Sequence, residues 1–276
     1  MGIGLGRLMH ASQLSRLRVF FLSILAALGL PSPVLGFCHQ IEVARREFRP
    51  VATAERANDI AIEWFGHSTF QITSSKGTRI LTDPHGRQDL PWPSLPQHIV
   101  TTSHPHGPHS NIWMAKGTPI ILEGLTPAGE NWRPIHMSIR DVSVYVVPAY
   151  HDKSQGLQRG KNAIFVFRVD DICIAHLGDL GHHLTPDQLK MMGKIDILLV
   201  PLAGGMFTIT PSEAREVTKQ VNPRIAIPKH YWGDEAVEVY TEGHPNVKRV
   251  QGRTFIISRK ELPPPTTIAV LWSGQR

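Results

Sequence analysis

The sequence predicts a mixed α/β chain built from two mixed sheets with helices outside them. Two observations carry that reading. Short apolar, β-branched or aromatic runs come first without helices, and from the middle of the chain strands alternate with well-capped helical segments. The composition agrees: 276 residues, 41% hydrophobic and 19% charged, is globular, with none of the bias of a disordered, collagenous or coiled-coil chain. Two cysteines are too few for a disulfide framework, so the core must come from apolar burial.

In chain order, strands are expected at 59–65, 68–73, 78–82, 98–103, 118–122, 142–148, 162–169, 171–176, 195–200, 224–228, 253–258 and 267–272. Thr185-Pro186-Asp187 opens one helix with a cap, a first-turn proline and an acid. Thr210-Pro211-Ser212-Glu213 opens another with a capping-box pattern, and helical character returns near 233–241. The proline-rich stretches 84–96 and 262–265 read as surface loops. Met191-Met192 fit the apolar face of a short helix.

The first 36 residues stand apart. Arg7, Arg16 and Arg18, with no acid among them, precede the apolar stretch Val19–Leu30 and then Pro31 and Pro33. This is the layout of a secretory signal, with Val34 and Gly36 at the small positions before a cut near Phe37. The stretch is shorter than the roughly 20 apolar residues of a membrane span, so an uncleaved anchor is the lesser reading. Bulky Phe37 before Cys38 argues against lipidation. The chain divides accordingly into a signal peptide 1–36, an N-terminal extension 37–58 and a domain 59–276. A periplasmic or secreted protein with no stable transmembrane helix in its mature chain is expected.

Loss of the signal segment lowers the formal charge of +6 by its three arginines. No Lys/Arg run remains to track phosphates, so nucleic-acid binding loses its support. Export makes a Cys38–Cys173 bridge chemically feasible. Cys173, however, sits in the apolar run Ile172-Cys173-Ile174-Ala175, and the favoured reading is a buried core thiol.

The 15 histidines are concentrated in an informative way. Ser103-His104-Pro105-His106-Gly107-Pro108-His109 follows the apolar run at His98-Ile99-Val100. Three imidazoles at i, i+2 and i+5 in a Gly/Pro turn can converge on a cation, which a regular strand or helix would prevent. Neutral imidazole is the commonest ligand for zinc and similar metals.

His104-x-His106-x-Pro108-His109 resembles the HxHxDH signature of the metallo-β-lactamase superfamily. The surroundings are similar to the branch that holds ascorbate-phosphate lactonase and the N-acylphosphatidylethanolamine-hydrolysing phospholipase D. Trp64-Phe65-Gly66-His67-Ser68-Thr69-Phe70 and Ile80-Leu81-Thr82-Asp83-Pro84 look like its opening strands. Ala149-Tyr150-His151-Asp152, Ala175-His176-Leu177-Gly178-Asp179-Leu180-Gly181-His182 and Ile227-Pro228-Lys229-His230-Tyr231 resemble its later ligand segments, in family order.

The resemblance implies a four-layer αββα sandwich. It implies a first metal held by His104, His106 and His151, and a second by His109 and His230, with Asp179 bridging. Asp179, His109 and His230 are the expected catalytic residues. The cofactor implied is one or two Zn2+, with Mn2+ or Fe2+ as alternatives. Pro108 stands where the family has an aspartate, leaving two versions open: a dinuclear site with one ligand fewer, or a mononuclear site at His104/His106/His151. His67 and Asp83 read as supports behind the ligands, with compensation for the missing carboxylate as the alternative. His182 reads as surface or support, beside His183. His176 is read as a satisfied inward histidine, and His85, His98, His136 and His244 as surface or loop residues. Lys161-Asn162 are read either as substrate contacts or as turn chemistry.

The function expected is an exported hydrolase that uses a metal-bound hydroxide on an ester, lactone or phosphodiester bond. A small-molecule or lipid-like anionic substrate is expected, since two divalent ions beside one carboxylate leave net positive charge. There is no GxSxG elbow for a serine esterase. Two rivals remain: an exported zinc-binding protein in which Pro108 has abolished catalysis, and a redox member of the superfamily with non-haem iron.

Overall fold

The computed structural model describes Cys38, residues 59–206 and residues 208–272. The expected signal segment lies outside the described residues, as does the extension 37–58 apart from Cys38.

The first sheet opens as an antiparallel meander of β1 (Asp59–Trp64), β2 (Phe70–Thr73) and β3 (Arg79–Thr82). β3 then runs parallel to β4 (Ile99–Thr102), which is followed by the one-turn helix α1 (Gly107–Ser110). β5 (Ile120–Glu123) lies parallel to β4 at the sheet edge. The second sheet starts with four antiparallel strands: β6 (His136–Ile139), β7 (Val142–Tyr150), β8 (Lys161–Val169) and β9 (Ile172–His176). Helices then separate parallel strands: α2 (Pro186–Met192), β10 (Ile197–Pro201), α3 (Pro211–Val221), β11 (Ile225–Lys229) and α4 (Glu235–Thr241). β12 (Val247–Arg249) and β14 (Thr267–Val270) extend this sheet, while β13 (Thr254–Ser258) crosses to the first and pairs antiparallel with β1.

Strand alternation builds the layers. In β8 to β10, Phe165, Phe167, Ile174, Ile197 and Leu199 face one way and join Ile60, Ile62, Trp64, Phe70 and Ile72 of the first sheet in one core. Their neighbours Ile164, Val166, Ala175, Leu198 and Val200 face the other way. They pack under Met192 of α2, Ala214 and Val217 of α3, and Val237 and Tyr240 of α4. A strand buried on both faces has no polar positions, which is why these runs read as continuously apolar. The chain is thus a mixed α/β sandwich of two sheets, with α2, α3 and α4 on the outer face of the second.

Both predicted caps form. Thr185 Oγ1 accepts from the Gln188 amide while Gln188 Oε1 accepts from the Thr185 amide, and Thr210 and Glu213 repeat the exchange for α3. Two strands escape the sequence reading. β6 is exposed along most of its length and β12 throughout, so neither carries the apolar alternation that marks a buried strand.

One expectation is overturned. Cys38 and Cys173 form a disulfide, with Cα atoms 6.1 Å apart, inside the usual range of roughly 4.4–6.8 Å. Cys173 is buried as expected, but on the helix-side face of β9, where Cys38 reaches it. The Lys194 amide donates to the Cys38 carbonyl at 3.2 Å and fixes this contact. Among the described residues, no helix is long and apolar enough to cross a membrane.

Candidate metal centre

The chemistry-bearing residues lie just beyond strand ends drawn from both sheets. His67 follows β1, and Asp83 follows β3. His104 follows β4, with His106 and His109 in and beside α1. On the second sheet His151 follows β7, Asp179 follows β9 and His230 follows β11. Loops at one edge can place side chains that a flat strand would hold apart.

The histidine segment is a one-turn helix rather than the expected plain turn. His106 is its N-cap, and Pro108 sits in the first turn, where a missing N–H leaves no hydrogen bond unmade. Pro108 therefore contributes a helix start where a carboxylate was sought. His109 is fully buried, while His106 is exposed and its ring stacks 5.7 Å from His104 and 5.8 Å from His109.

Asp179 is the hub. Its Oδ2 lies 3.0 Å from His109 Nε2, 3.3 Å from His151 Nε2, 3.4 Å from His230 Nε2 and 3.9 Å from His104 Nε2. Three groupings have donor atoms within 4.8 Å of one another: His104/His151/Asp179, His104/His106/His109 and His67/His109/His230. The expected trio of His104, His106 and His151 is thus divided between two groupings.

Asp83 orients two of these rings. It is fully buried and accepts from the Ser103 amide at 2.7 Å, from Ser103 Oγ at 2.6 Å and from His109 Nδ1 at 3.1 Å. Because Ser103 Oγ donates to Asp83, it accepts from His104 Nδ1 at 3.0 Å. Both imidazoles therefore carry a proton on Nδ1 and direct Nε2 toward Asp179. Outer contacts of this kind fix tautomer and ring direction in metal sites.

Asn162 fixes Asp179 itself. Its Oδ1 accepts from the Asp179 amide at 2.9 Å, and its Nδ2 donates to the Leu177 carbonyl at 2.9 Å. Two glycines permit the close approach. Gly178 has φ +54°, and a Cβ there would lie 2.2 Å from Asn162 Oδ1; one on Gly181 would lie 2.3 Å from the His151 backbone.

His67 is nearly buried, its ring 3.9 Å from that of His230 and 4.6 Å from that of His109. Its carbonyl accepts from the Trp64 indole at 3.1 Å and from the His230 amide at 2.9 Å. His182 stands further out. Its Nε2 accepts from the Tyr150 amide at 3.1 Å, bracing the residue before His151. His176 is inward and donates to the Ser68 carbonyl at 3.0 Å. His85, read as a surface or loop residue, lies in a loop but is buried: it donates to the Phe65 carbonyl at 3.1 Å and accepts from the Arg87 amide at 2.8 Å. It stitches the proline-rich loop to the end of β1.

Lys229 was given no role by the sequence reading. It is fully buried, donates to Ser68 Oγ at 2.9 Å and to the Gly178 carbonyl, and lies 3.9 Å from Asp179 Oδ1. A lysine ending an otherwise apolar strand is itself the overlooked signal, since lysine is almost never fully buried unpaired.

Burial pushes the pKa values of His67, His104 and His230 down, and neighbouring imidazoles add to it. Burial also disfavours a charged His109, but Asp179 and Asp83 overcome it and raise that pKa to about 9. Burial opposes ionisation of Asp179, yet the His109 and His230 charges hold it well below the usual carboxylate range. Burial lowers Lys229, with Asp179 and Asp83 working against the shift.

A cavity of about 340 Å³ opens on this cluster, reaching His104, His106 and His151. Arg159 and Lys161 on its wall are cationic, and Leu125 and Ala128 are apolar. Lys161 Nζ lies 4.6 Å above the Trp132 ring. The loop bearing Arg159 is wound around Asp152, whose carboxylate accepts from the amides of Ser154, Gly156, Gln158 and Arg159 at 2.7–3.1 Å.

A family model described as a β-lactamase superfamily domain matches residues 61–230. A UPF0173 metal-dependent hydrolase of Pyrobaculum neutrophilum is 29% identical over 194 residues, spanning 62% of this chain and 83% of its own. One of Methanoculleus marisnigri is 28% identical over 225 residues, spanning 76% and 96%. Among solved structures, a Thermotoga maritima protein assigned as a Zn-dependent hydrolase of the metallo-β-lactamase superfamily is 32% identical. It matches 77% of this chain and 98% of its own with a TM-score of 0.61. Igni18, a metallo hydrolase of Ignicoccus hospitalis, shares the fold at 17% identity, with a TM-score of 0.55 over 72% of this chain and 99% of its own.

Proposed function

The chain belongs to the metallo-β-lactamase superfamily and is a metal-dependent hydrolase; we propose that it is an exported enzyme holding one or two zinc ions and cleaving an ester, lactone or phosphodiester bond in a small or lipid-like anionic substrate. The observation that carries the reading is the convergence of four Nε2 atoms on one buried carboxylate oxygen.

The residues fit divalent ions. His104 Nε2 and Asp179 Oδ1 are buried without a hydrogen-bond partner, a costly arrangement unless a cation takes up those lone pairs. His104, His151 and Asp179 would hold one ion, with His106 at its rim. His109 and His230 would hold a second, sharing Asp179. Zinc is supported by this nitrogen-rich donor set and by the naming of the Thermotoga maritima relative. When bound, the ions supply Lewis acidity and make water nucleophilic near neutral pH.

The chain's own groups do the rest. Asp83 and Ser103 keep the Nε2 lone pairs aimed inward, and Asn162 holds Asp179 between the imidazoles. Arg159 and Lys161 recognise an anionic part of the substrate, while Leu125 and Ala128 shed water from its apolar part. Export is supported by the basic and apolar segment before Phe37 and by the Cys38–Cys173 bridge, which belongs to an oxidising compartment.

The test is elemental analysis of the oxidised protein, followed by anionic esters, lactones and phosphodiesters with wild type, His151→Ala and Arg159→Ala/Lys161→Ala. The expected result is zinc with turnover abolished in His151→Ala, and KM raised about tenfold in the double variant. Tight metal with no turnover on any of these substrates would instead make the chain a metal-binding protein, and iron would point to redox chemistry. N-terminal sequencing of the exported form checks the cut before Phe37.

A further inference from the structure

The side chain at position 67 is unexplained by anything its backbone does. His67 has φ +50° and His230 φ +51°, and the two are joined by the bond from the His230 amide to the His67 carbonyl. Left-handed backbone at a residue with a Cβ is unfavourable, and glycine would satisfy the same two carbonyl contacts without strain. An imidazole is found there instead, almost wholly buried, with Nδ1 lacking any hydrogen-bond partner. It faces the rings of His109 and His230, and the three residues offer donor atoms within 4.8 Å of one another. Three imidazoles are thus gathered in the interior, and Nδ1 of His67 and of His230 has no protein hydrogen-bond partner.

Asp83 is not free to fill the position left by Pro108. Its carboxylate already serves the Ser103 amide, the Ser103 hydroxyl and His109 Nδ1. We infer that His67 is the third protein ligand of the second metal position, replacing with a nitrogen the carboxylate that Pro108 cannot offer. This rests on the reading of His109 and His230 as ligands given above. The second position becomes three imidazoles with Asp179 between it and the first, and Pro108 then costs no ligand.

The test is zinc titration of the full chain in competition with a chromophoric chelator, with Co2+ absorption as an independent report on donor number. Wild type, His67→Ala, His67→Asn and His230→Ala are compared. Asparagine tolerates left-handed backbone, so His67→Asn keeps the test alive if the alanine variant does not fold. The expected result is that both His67 variants retain the first zinc equivalent and lose more than about 100-fold in affinity for the second. That loss exceeds the 10- to 100-fold typical of a residue that merely braces a ligand. The Co2+ band of the second equivalent should shift in parallel. If His230→Ala loses the second equivalent while both His67 variants bind it within about threefold of wild type, His67 is no ligand. If His230→Ala also retains it, the second position itself has been misread, and the inference falls with it.

Discussion

Asn162→Ala isolates what holds the central carboxylate in place. The substitution strips the Asp179 amide and the Leu177 carbonyl of their partners, each now bonded at 2.9 Å to a side chain that is itself fully buried. An unsatisfied buried polar group costs about 1–3 kcal/mol, so the pair costs about 2–6 kcal/mol if nothing relaxes. Relaxation lowers that figure only by moving the 177–179 loop, and the loop carries the oxygen that stands 3.0–3.9 Å from four imidazole nitrogens. Stability and metal affinity should therefore fall together. Gly178→Ala perturbs the same amide from the other side. Its Cβ would meet Asn162 Oδ1 at 2.2 Å and Ser103 Cβ at 2.7 Å, on a backbone already at φ +54°. Urea unfolding and zinc titration of both variants are the assay. If Asn162→Ala stays within about 0.5 kcal/mol of wild type and binds zinc unchanged, Asn162 does not position Asp179.

Cys173→Ser opens a loop that spans 135 residues of sequence, worth about 5 kcal/mol as a chain-entropy ceiling, and the lowered urea midpoint should be reproduced by reducing the wild type. In chelator-treated protein, the His109 pKa of about 9 exceeds its unfolded value of 6.5. Its contribution to stability is therefore full below pH 6.5 and lost as pH rises through about 9, which urea midpoints across that window will show. Zinc bound by His109 as proposed would displace that proton, so its affinity should rise about tenfold per pH unit up to pH 9. Asp152→Ala leaves four amides without an acceptor and loosens the loop bearing Arg159. KM for an anionic substrate should rise about tenfold with kcat less affected, and an unchanged KM would separate that loop from substrate binding.

Much of the fold was legible because burial on two faces writes itself into composition. Ile172–Ala175 and Ile195–Val200 could only be interior strands, and the Thr185 and Thr210 caps name their own partners. β6 and β12 were not legible, since an exposed edge strand answers to no core. The clustered histidines stood out for their chemistry. Asn162 was read with Lys161 as a substrate contact or a turn residue, yet both lie in β8 and Asn162 serves the 177–179 loop. Lys229 was given no role, because its partners, such as Gly178 and Ser68, are supplied only by the folded chain. The disulfide was missed for a related reason: Cys38 belongs to no element, and nothing local says that it returns to β9.

The inward residues come from two separate sheets, His67, Asp83, His104 and His109 from one and His151, Asp179 and His230 from the other. An ion shared among them would be a clasp across the seam of the sandwich. Its binding free energy then adds directly to the work of prying the two halves apart, by RT ln(1 + [metal]/Kd). Metal supply thereby becomes a determinant of how long the protein survives as well as how fast it works. Chelation should open the molecule at the seam before it unravels either sheet.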